Sequence, residues 1–316
     1  KELKPVFPSV LHQDFRELIN YSAKAYQGDD AFILKHKQGK NISYEHIKFE
    51  DFRDHVNFLG TGMLRKGFKG KRIAIIGKNR YEWMLAYFAA LCGLGICVPL
   101  DKGLPYEEVE SSLIRSYSDV LVFDKAQLPI VEELKEKSNT KVTDYICMEE
   151  LEGYLSIKEL MEDGKKSMED GFTDYLQLPI DAHGTTIILF TSGTTSMSKA
   201  VQLSQYNITA NVYAMLLVED IRHGDINMAF LPYHHTFGST GQIVMLAAGV
   251  TTTYCDGLKY LQKNIVEYKV SLFVCVPLLI ESIYKKIMQT VQKQGLEKKV
   301  AMGLKISKFL LKFGID

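Results

Sequence analysis

The chain has 316 residues, 46% of them hydrophobic, and its 38 basic side chains are balanced by 38 acidic ones. This length and apolar content predict a folded chain of two packed units rather than a disordered one. The charge balance argues against a general nucleic-acid-binding protein, and five cysteines without a C-x-x-C pair argue against a disulfide framework or a zinc ribbon and favour a reducing cytoplasm.

Apolar segments of β type alternate with helical segments in the first part of the chain. Residues 31–36 and 41–44 predict a hairpin, and the amphipathic stretch 49–64 follows it. The pattern then predicts strands at 72–76, 96–100 and 119–123 and helices at 80–92 and 105–117. Such alternation is typical of a parallel sheet wrapped by helices.

One uncharged stretch, residues 83–100, approaches the length of a transmembrane helix with its 18 residues. Gly93 and Gly95 interrupt it, however, and residues 97–99 have the composition of a buried strand. A helix followed by a strand is therefore the favoured interpretation, with a membrane span as the alternative. The first five residues lack the apolar core of a cleavable signal peptide.

Residues 124–181 are charged and poorly periodic, and we interpret them as excursions and a linker. The alternating pattern then resumes, with strands predicted at 186–190, 227–231, 250–255 and 270–276 and helices at 204–218, near 242 and at 258–268. The loop after strand 186–190 leaves the C-terminal end of a strand, which is where open α/β sheets bind ligands.

That loop, residues 191–199, reads Thr-Ser-Gly-Thr-Thr-Ser-Met-Ser-Lys. Small side chains let main-chain N–H groups approach phosphate oxygens, the hydroxyls add donors, and the lysine supplies charge. Gly193 and Lys199 have the spacing of the P-loop of nucleotide hydrolases, but Ser198 replaces its second glycine and Ala200 replaces its Mg²⁺-binding hydroxyl residue. A solvated Ser/Thr loop is the structural alternative. The loop predicts a site for a nucleotide triphosphate or pyrophosphate.

A second segment, residues 231–238, reads Leu-Pro-Tyr-His-His-Thr-Phe-Gly. Pro232 ends the predicted strand, and an apolar helical run follows. Adjacent histidines in an extended chain point to opposite faces, and neither cysteines nor an acidic cluster lie near them in the sequence, so zinc is not favoured. We interpret His234 as a structural side chain packed in the core.

From residue 278 onward the sequence is helical and basic, with eight lysines against three acidic residues. Lysines interleave there with apolar residues between 304 and 313, a pattern that suits an anionic lipid surface. A solvated lysine face that covers an apolar core stripe is the favoured alternative.

The loop 191–199 resembles the phosphate loop of the adenylate-forming superfamily, which comprises acyl-CoA synthetases, luciferases and adenylation domains of peptide synthetases. The segment 231–238 resembles the family's Leu-Pro-x-x-His-x-x-Gly motif, and residues 72–100 resemble its first strand, helix and second strand. Ala200, Ser196 and Ser198 depart from the glycine and proline residues of typical members. The exact residues of these motifs are most similar to those of bacterial long-chain fatty acyl-CoA synthetases.

The resemblance implies an α/β fold with two doubly wound αβα subdomains. Residues 69–222 would form the subdomain that carries the phosphate loop, and residues 1–68 plus 223–316 would form a second, discontinuous one. The family's aromatic-Gly-x-Thr-Glu segment, its Thr-Gly-Asp segment and its C-terminal lid domain are not found before Asp316. We therefore expect a truncated N-terminal domain that cannot complete adenylation unaided.

The resemblance also implies a reaction: ATP-dependent activation of a carboxylic acid, expected to be a long-chain fatty acid, through an acyl-adenylate to a coenzyme A thioester. ATP, Mg²⁺ and coenzyme A would be the cofactors and co-substrates. Adenylation of an aryl or amino acid, or a non-catalytic module that binds a nucleotide or an acyl group, remains open.

Residue roles are carried over by motif position. The expected polyphosphate ligands are Thr191, Ser192, Gly193, Thr194, Thr195, Ser196 and Lys199. Thr191 would also hold Mg²⁺, and Lys199 would draw off charge from the leaving pyrophosphate. His235, which is expected to be catalytic with Lys199, would lie with Thr236 and Gly238 at the mouth of the acyl pocket, and the helix after Gly241 would form part of its wall.

Overall fold

The computed structural model describes residues 5–191 and 198–314, and the chain divides into two compact units at Val274/Cys275. The helices of the first unit are α1 (Phe15–Ala25), α2 (Phe49–Arg65), α3 (Tyr81–Ala89), α4 (Tyr106–Ser116), α5 (Leu128–Lys137), α6 (Ile157–Glu169), α7 (Gln205–Leu216), α8 (Thr236–Ala248) and α9 (Leu261–Tyr268). Its strands are β1 (Asp30–Gln38), β2 (Asn41–Lys48), β3 (Arg72–Ile76), β4 (Ile96–Leu100), β5 (Val120–Phe123), β6 (Asp144–Cys147), β7 (Leu155–Ser156), β8 (Ile187–Thr191), β9 (Lys199–Leu203), β10 (Ile226–Ala229) and β11 (Thr251–Tyr254).

The larger sheet of the described chain has the strand order β7-β6-β5-β3-β4-β8-β9. Its neighbours are parallel except β8 and β9, which are antiparallel. Alternate side chains enter two hydrophobic clusters: Ile73 and Ile75 of β3 belong to one cluster, and Ala74 and Ile76 belong to the other. Both faces of this sheet are therefore covered, which explains the continuous apolar runs of its strands.

The smaller sheet has the order β10-β11-β1-β2. The predicted hairpin is confirmed as the antiparallel pair β1–β2, and β11 pairs in parallel with both β1 and β10. This sheet joins segments distant in sequence, and Phe32 of β1 shares a hydrophobic cluster with Ile73 of the larger sheet. The prediction of an α/β fold is confirmed, whereas the subdomain bounds 69–222 and 1–68 plus 223–316 stay a prediction.

The uncharged stretch 83–100 forms α3, a π-helical turn (Ala90–Leu94) and β4, as the helix-plus-strand interpretation predicted. Gly93 adopts φ +113°, which glycine alone tolerates easily, and a Cβ on Gly95 would lie 2.0 Å from the carbonyl oxygen of Lys71. In the part of the chain that the structure describes, no helix combines the length and apolarity needed to cross a bilayer.

Two sequence interpretations are wrong. Residues 124–181 are not merely excursions, because they add β6 and β7 to the larger sheet together with α5 and α6. The expected strand at 270–276 is absent from the described structure, since Leu272 makes only an isolated bridge with Asn227 before α10 begins at Pro277. Helix α1 and strand β9 are additions that the pattern did not predict.

The second unit contains α10 (Pro277–Lys293) and α11 (Glu297–Leu311). The lysines of α11 are exposed, as expected, but so are large apolar side chains on it, among them Leu304, Ile306 and Phe309. The expected burial of an apolar stripe on α11 is therefore not found.

Candidate functional site

The two ends of the predicted phosphate loop face each other across a β-ladder. Thr191, the last residue of β8, pairs with Lys199, the first residue of β9, and the Lys199 N–H lies 3.4 Å from Thr191 Oγ1. Side chains opposite each other on antiparallel strands lie on one face of the sheet. The other predicted phosphate ligands lie outside the described residues: Ser192, Gly193, Thr194, Thr195 and Ser196.

Arg115 of α4 holds both sides of this hairpin. Its guanidinium donates to the hydroxyl oxygen of Ser198 at 3.1 Å and to the Ser198 carbonyl oxygen at 2.6 Å. The same group lies 5.1 Å from the ring centroid of Phe190, the residue before Thr191. The rigid guanidinium of Arg115 thus connects Phe190 of β8, before the loop, with Ser198 near the end of the loop.

The double-histidine segment is held by the side chain of Asn79, which follows β3. Asn79 Nδ2 donates to the carbonyl oxygen of Leu231 at 2.7 Å, and Asn79 Oδ1 accepts from the Tyr233 N–H at 3.0 Å. Pro232, between these partners, has no N–H to offer a sheet. The amide of Asn79 therefore takes the place of a neighbouring strand.

Tyr233 anchors the segment in the core. Its side chain is buried, its ring lies 5.3 Å from that of Trp83, and its hydroxyl lies 3.0 Å from Gln242 Oε1. Gln242 in turn donates to Thr252 Oγ1 at 2.9 Å. Gly238 permits the start of α8 to approach closely, because a Cβ there would lie 2.1 Å from the Pro232 carbonyl oxygen.

The two histidines do not point to opposite faces. Their ring centroids lie 4.3 Å apart, because the chain turns here and the His235 N–H bonds the Pro232 carbonyl oxygen at 3.2 Å. His235 and Thr236 are exposed, whereas the side chain of His234 is only 11% exposed. Burial lowers the pKa of His234 to about 4, against the opposing effect of Asp101, whose Oδ2 lies 3.4 Å from His234 Nε2.

A cavity of about 420 Å³ brings the two motifs together. Its lining includes Thr191, Ser198, His234, His235 and Asp101, and therefore the C-terminal ends of β4 and β8. Neither Thr236 nor Gly238 lines it. Gly238 instead lines a much smaller cavity of about 20 Å³ together with Gly241 and Phe237. Among the described residues, no group of three or more His, Cys, Asp or Glu side chains is arranged to hold a metal ion.

Sequence reasoning missed three residues of this site: Asn79, Asp101 and Arg115. Asn79 and Asp101 follow the C-terminal ends of β3 and β4, so the rule that ligands bind at that edge of the sheet was the signal for both. Arg115 lies on a helix, and nothing in its sequence neighbourhood indicates a contact with Ser198.

Comparison with known proteins decides the family. The family model described as AMP-binding enzyme matches residues 20–313. This chain belongs to the AMP-binding enzyme family. The resemblance inferred from residues 191–199 and 231–238 is thereby confirmed.

Relatives in the AMP-binding family include long-chain-fatty-acid–CoA ligase 5 of Rattus norvegicus, which is 27% identical over 290 residues, or 85% of this chain and 42% of the relative. Crotonobetaine/carnitine–CoA ligase of Shigella flexneri is 24% identical over 319 residues, or 96% of this chain and 59% of the relative. The chain thus spans about half the length of the curated relatives it matches.

Solved structures show the same fold. A long-chain-fatty-acid-CoA ligase (FadD1) from Archaeoglobus fulgidus superposes with a TM-score of 0.71 at 21% identity, covering 85% of this chain and 53% of the other. The N-terminal domain of FACL13 from Mycobacterium tuberculosis gives 0.69 at 20% identity, covering 85% and 64%.

Proposed function

We propose that this chain belongs to an ATP-dependent acid–thiol ligase that activates a carboxylic acid through an acyl-adenylate and transfers it to coenzyme A. The observation that carries the proposal is the shared cavity, which the phosphate-loop ends Thr191 and Ser198 line together with His235. A carboxylate at His235 and the α-phosphate of ATP would meet within it. Alignment and charge neutralisation are the main sources of rate enhancement in such transfers.

In this proposal the residues contact different parts of the two substrates. Gly193, Thr194, Thr195 and Ser196 hold the β- and γ-phosphates, and Ser192 also binds the nucleotide. Lys199, which is exposed at the start of β9, neutralises charge on the departing pyrophosphate. His235 orients the acid.

Mg²⁺ enters this scheme with the nucleotide, as MgATP. The hydroxyl of Thr191 suits it as a neutral oxygen ligand at an exposed strand end, and the hydrogen bond that it accepts from the Lys199 N–H, at 3.4 Å, is long. Phosphate oxygens and water would supply the remaining ligands.

We propose a long-chain fatty acid as the acid, because relatives named as long-chain-fatty-acid–CoA ligases cover 77–85% of this chain. Ligation of another acid is the second candidate, favoured by the wider coverage of 96% for crotonobetaine/carnitine–CoA ligase. A panel of long-chain, aryl and amino acids and carnitine, scored by AMP release from the full-length protein, separates them. A lack of AMP release with every acid of this panel would favour the non-catalytic binding module.

Lys199→Ala tests the phosphate site in the full-length protein. We expect turnover to fall about 10²-fold or more, as when a charge-stabilising donor is removed. Lys69→Ala is the control, because Lys69 is an exposed lysine just before the N-terminal end of β3, whereas the phosphate loop follows the C-terminal end of β8. Unchanged turnover in Lys199→Ala would contradict the proposal. The 316-residue chain alone should not catalyse carboxylate-dependent ATP–pyrophosphate exchange, and detection of that exchange would overturn this expectation.

A further inference from the structure

Asn79 connects two parts of the molecule that are distant in sequence. It lies between β3 of the larger sheet and α3, and its two hydrogen bonds reach Leu231 and Tyr233, more than 150 positions away. The two bonds are 2.7 and 3.0 Å long, within the normal range, and they use opposite ends of one planar amide. Such a two-point contact fixes orientation as well as distance.

The contact lies directly before the histidines. Tyr233 donates its N–H to Asn79 Oδ1, and His234 and His235 are the next two residues. On the far side the restraint continues, because Ser239 donates from both its N–H and its hydroxyl to the His235 carbonyl oxygen, at 3.0 and 3.2 Å. The histidine pair is therefore held from both ends.

β10 ends at Ala229, so the segment that Asn79 holds lies beyond its strand. Without the amide, the Leu231 carbonyl and the Tyr233 N–H would lose these side-chain partners. Tyr233 would keep its ring contacts and its hydroxyl bond, and the Pro232 carbonyl would keep its bond from the His235 N–H. Loss of the restraint would free the backbone between Leu231 and His235 to turn. The imidazoles would then move relative to the cavity that Thr191 lines.

We infer that Asn79 is a positioning residue that sets the placement of His234 and His235 at this cavity. Its consequence for catalysis rests on the proposed function, in which His235 orients the acid. Asn79 does not line the cavity that both histidines line, but it lines a neighbouring cavity of about 290 Å³ together with His234. Both ends of its amide bond the segment 231–235, so its proposed effect on the histidines runs through that segment.

The first test measures histidine placement without any assay of turnover. The 316-residue chain is treated with diethyl pyrocarbonate, and the acylation rate of each histidine is followed by peptide mass spectrometry. His234 is largely buried and should react slowly, whereas His36, whose side chain is 50% exposed, provides an internal reference. In Asn79→Ala we expect His234 to react about fivefold faster relative to His36, because reagent access follows local opening.

Asn139→Ala is the matched control, because Asn139 also donates one side-chain amide bond, to Glu110 at 3.1 Å on the surface. It should leave the His234 rate unchanged. An unchanged His234 rate in folded Asn79→Ala would overturn the inference. Unfolding of Asn79→Ala would be visible as reaction of the buried His12 at the rate of His36. In that case Asn79→Asp is tested in place of Asn79→Ala, since its carboxylate keeps the acceptor for the Tyr233 N–H but loses the donor for the Leu231 carbonyl.

The second test concerns turnover by the full-length protein. We expect Asn79→Ala to lower kcat/KM for the carboxylic acid about 10-fold to 100-fold, as misplacement by a fraction of an ångström to 1 Å does, and to leave KM for ATP unchanged. An equal change in both parameters would indicate a merely structural role and contradict the inference. If the wild-type protein releases no AMP with any acid, the proposed function fails, while the histidine rates still decide the role of Asn79.

Discussion

Arg115 and Ser198 form a two-bond contact that closes the base of the β8–β9 hairpin. The guanidinium uses its planar fork to reach the Ser198 hydroxyl and carbonyl oxygens at 3.1 and 2.6 Å. It also covers Phe190 on the entering strand. Because Lys199 follows Ser198 directly, this contact bears on where the proposed phosphate-binding lysine lies.

Replacement of Arg115 should therefore weaken nucleotide binding. Two bonds from a charged donor contribute about 1.5–3 kcal/mol, so Arg115→Ala should raise KM for ATP about tenfold or more in the full-length protein. Arg115→Lys keeps the charge but not the fork and should recover only part of the loss. Arg65→Ala, which removes a guanidinium 5.2 Å from the ring of Phe172, should leave KM unchanged. Equal effects of Arg115→Ala and Arg65→Ala would refute the role.

The buried His234 makes stability depend on pH in a defined direction. Its pKa is about 4 in the folded chain against about 6.5 for an ordinary histidine, so the unfolded chain binds more protons between these values. The free energy of unfolding should thus fall as the pH drops from 6.5 to 4, by at most about 3 kcal/mol from this group. Urea unfolding across this range should be less pH-dependent in His234→Gln. A slope identical to that of the wild type would show that His234 titrates normally.

Two glycines of α8 offer a matched pair of substitutions. A Cβ at Gly238 would lie 2.1 Å from the Pro232 carbonyl oxygen, whereas a Cβ at Gly241 would lie 3.8 Å from Val274 Cγ2, an ordinary contact. We expect Gly238→Ala to lower the free energy of unfolding by about 2–4 kcal/mol because the turn must shift. Gly241→Ala should be neutral or stabilise by up to about 1 kcal/mol through helix propensity. Thermal and urea unfolding compare them; similar losses in both would mean that helix packing, not the turn, is disturbed.

Arg16 of α1 binds three backbone carbonyl oxygens. They belong to Cys92 in the π-helical turn, Tyr175 at 3.0 Å and Leu178 at 2.6 Å. Because its removal leaves partly buried acceptors unsatisfied, Arg16→Ala should cost about 2–4 kcal/mol of stability. Arg53→Ala, which breaks a partly exposed pair with its neighbour Asp54, should cost less than about 1 kcal/mol. Urea denaturation measures both, and a loss in Arg16→Ala no larger than in Arg53→Ala would contradict the argument.

Strands β6, β7 and β9 of the larger sheet were not predicted, whereas β3, β4, β5 and β8 were, because these four are apolar apart from Arg72 and Thr191 at their ends. Helix α6 was not predicted either. Its buried face consists of Ile157, Leu160 and Gly164, and the glycine, which lies against the Phe58 carbonyl oxygen of α2, removes an apolar residue from the stripe. The sequence did contain signals for this helix, because Ser156 and Glu159 form a capping box and Ile157, Leu160 and Met161 have helical spacing, but Gly164 interrupts the stripe at its next position.

The residues of the candidate site likewise divide into those with a local sequence signal and those without one. Thr191, Lys199 and His235 could be proposed from the sequence because their motifs are contiguous in it, and the structure brings Thr191 and His235 to one cavity. The contacts that hold these motifs come from residues 83 positions away, in Arg115, and 152 positions away, in Asn79. Such partners are defined only by the fold, so a single sequence contains no local signal for the pairing.

The pair of Thr191 and Lys199 closes the β8–β9 ladder at its loop end. Because the pairing of β8 with β9 sets the Lys199 backbone opposite Thr191, the sheet fixes the Cα position of this lysine before any ligand binds. In the proposed function, phosphate binding at Lys199 would therefore have to order only its side chain, and less conformational entropy would be lost on association.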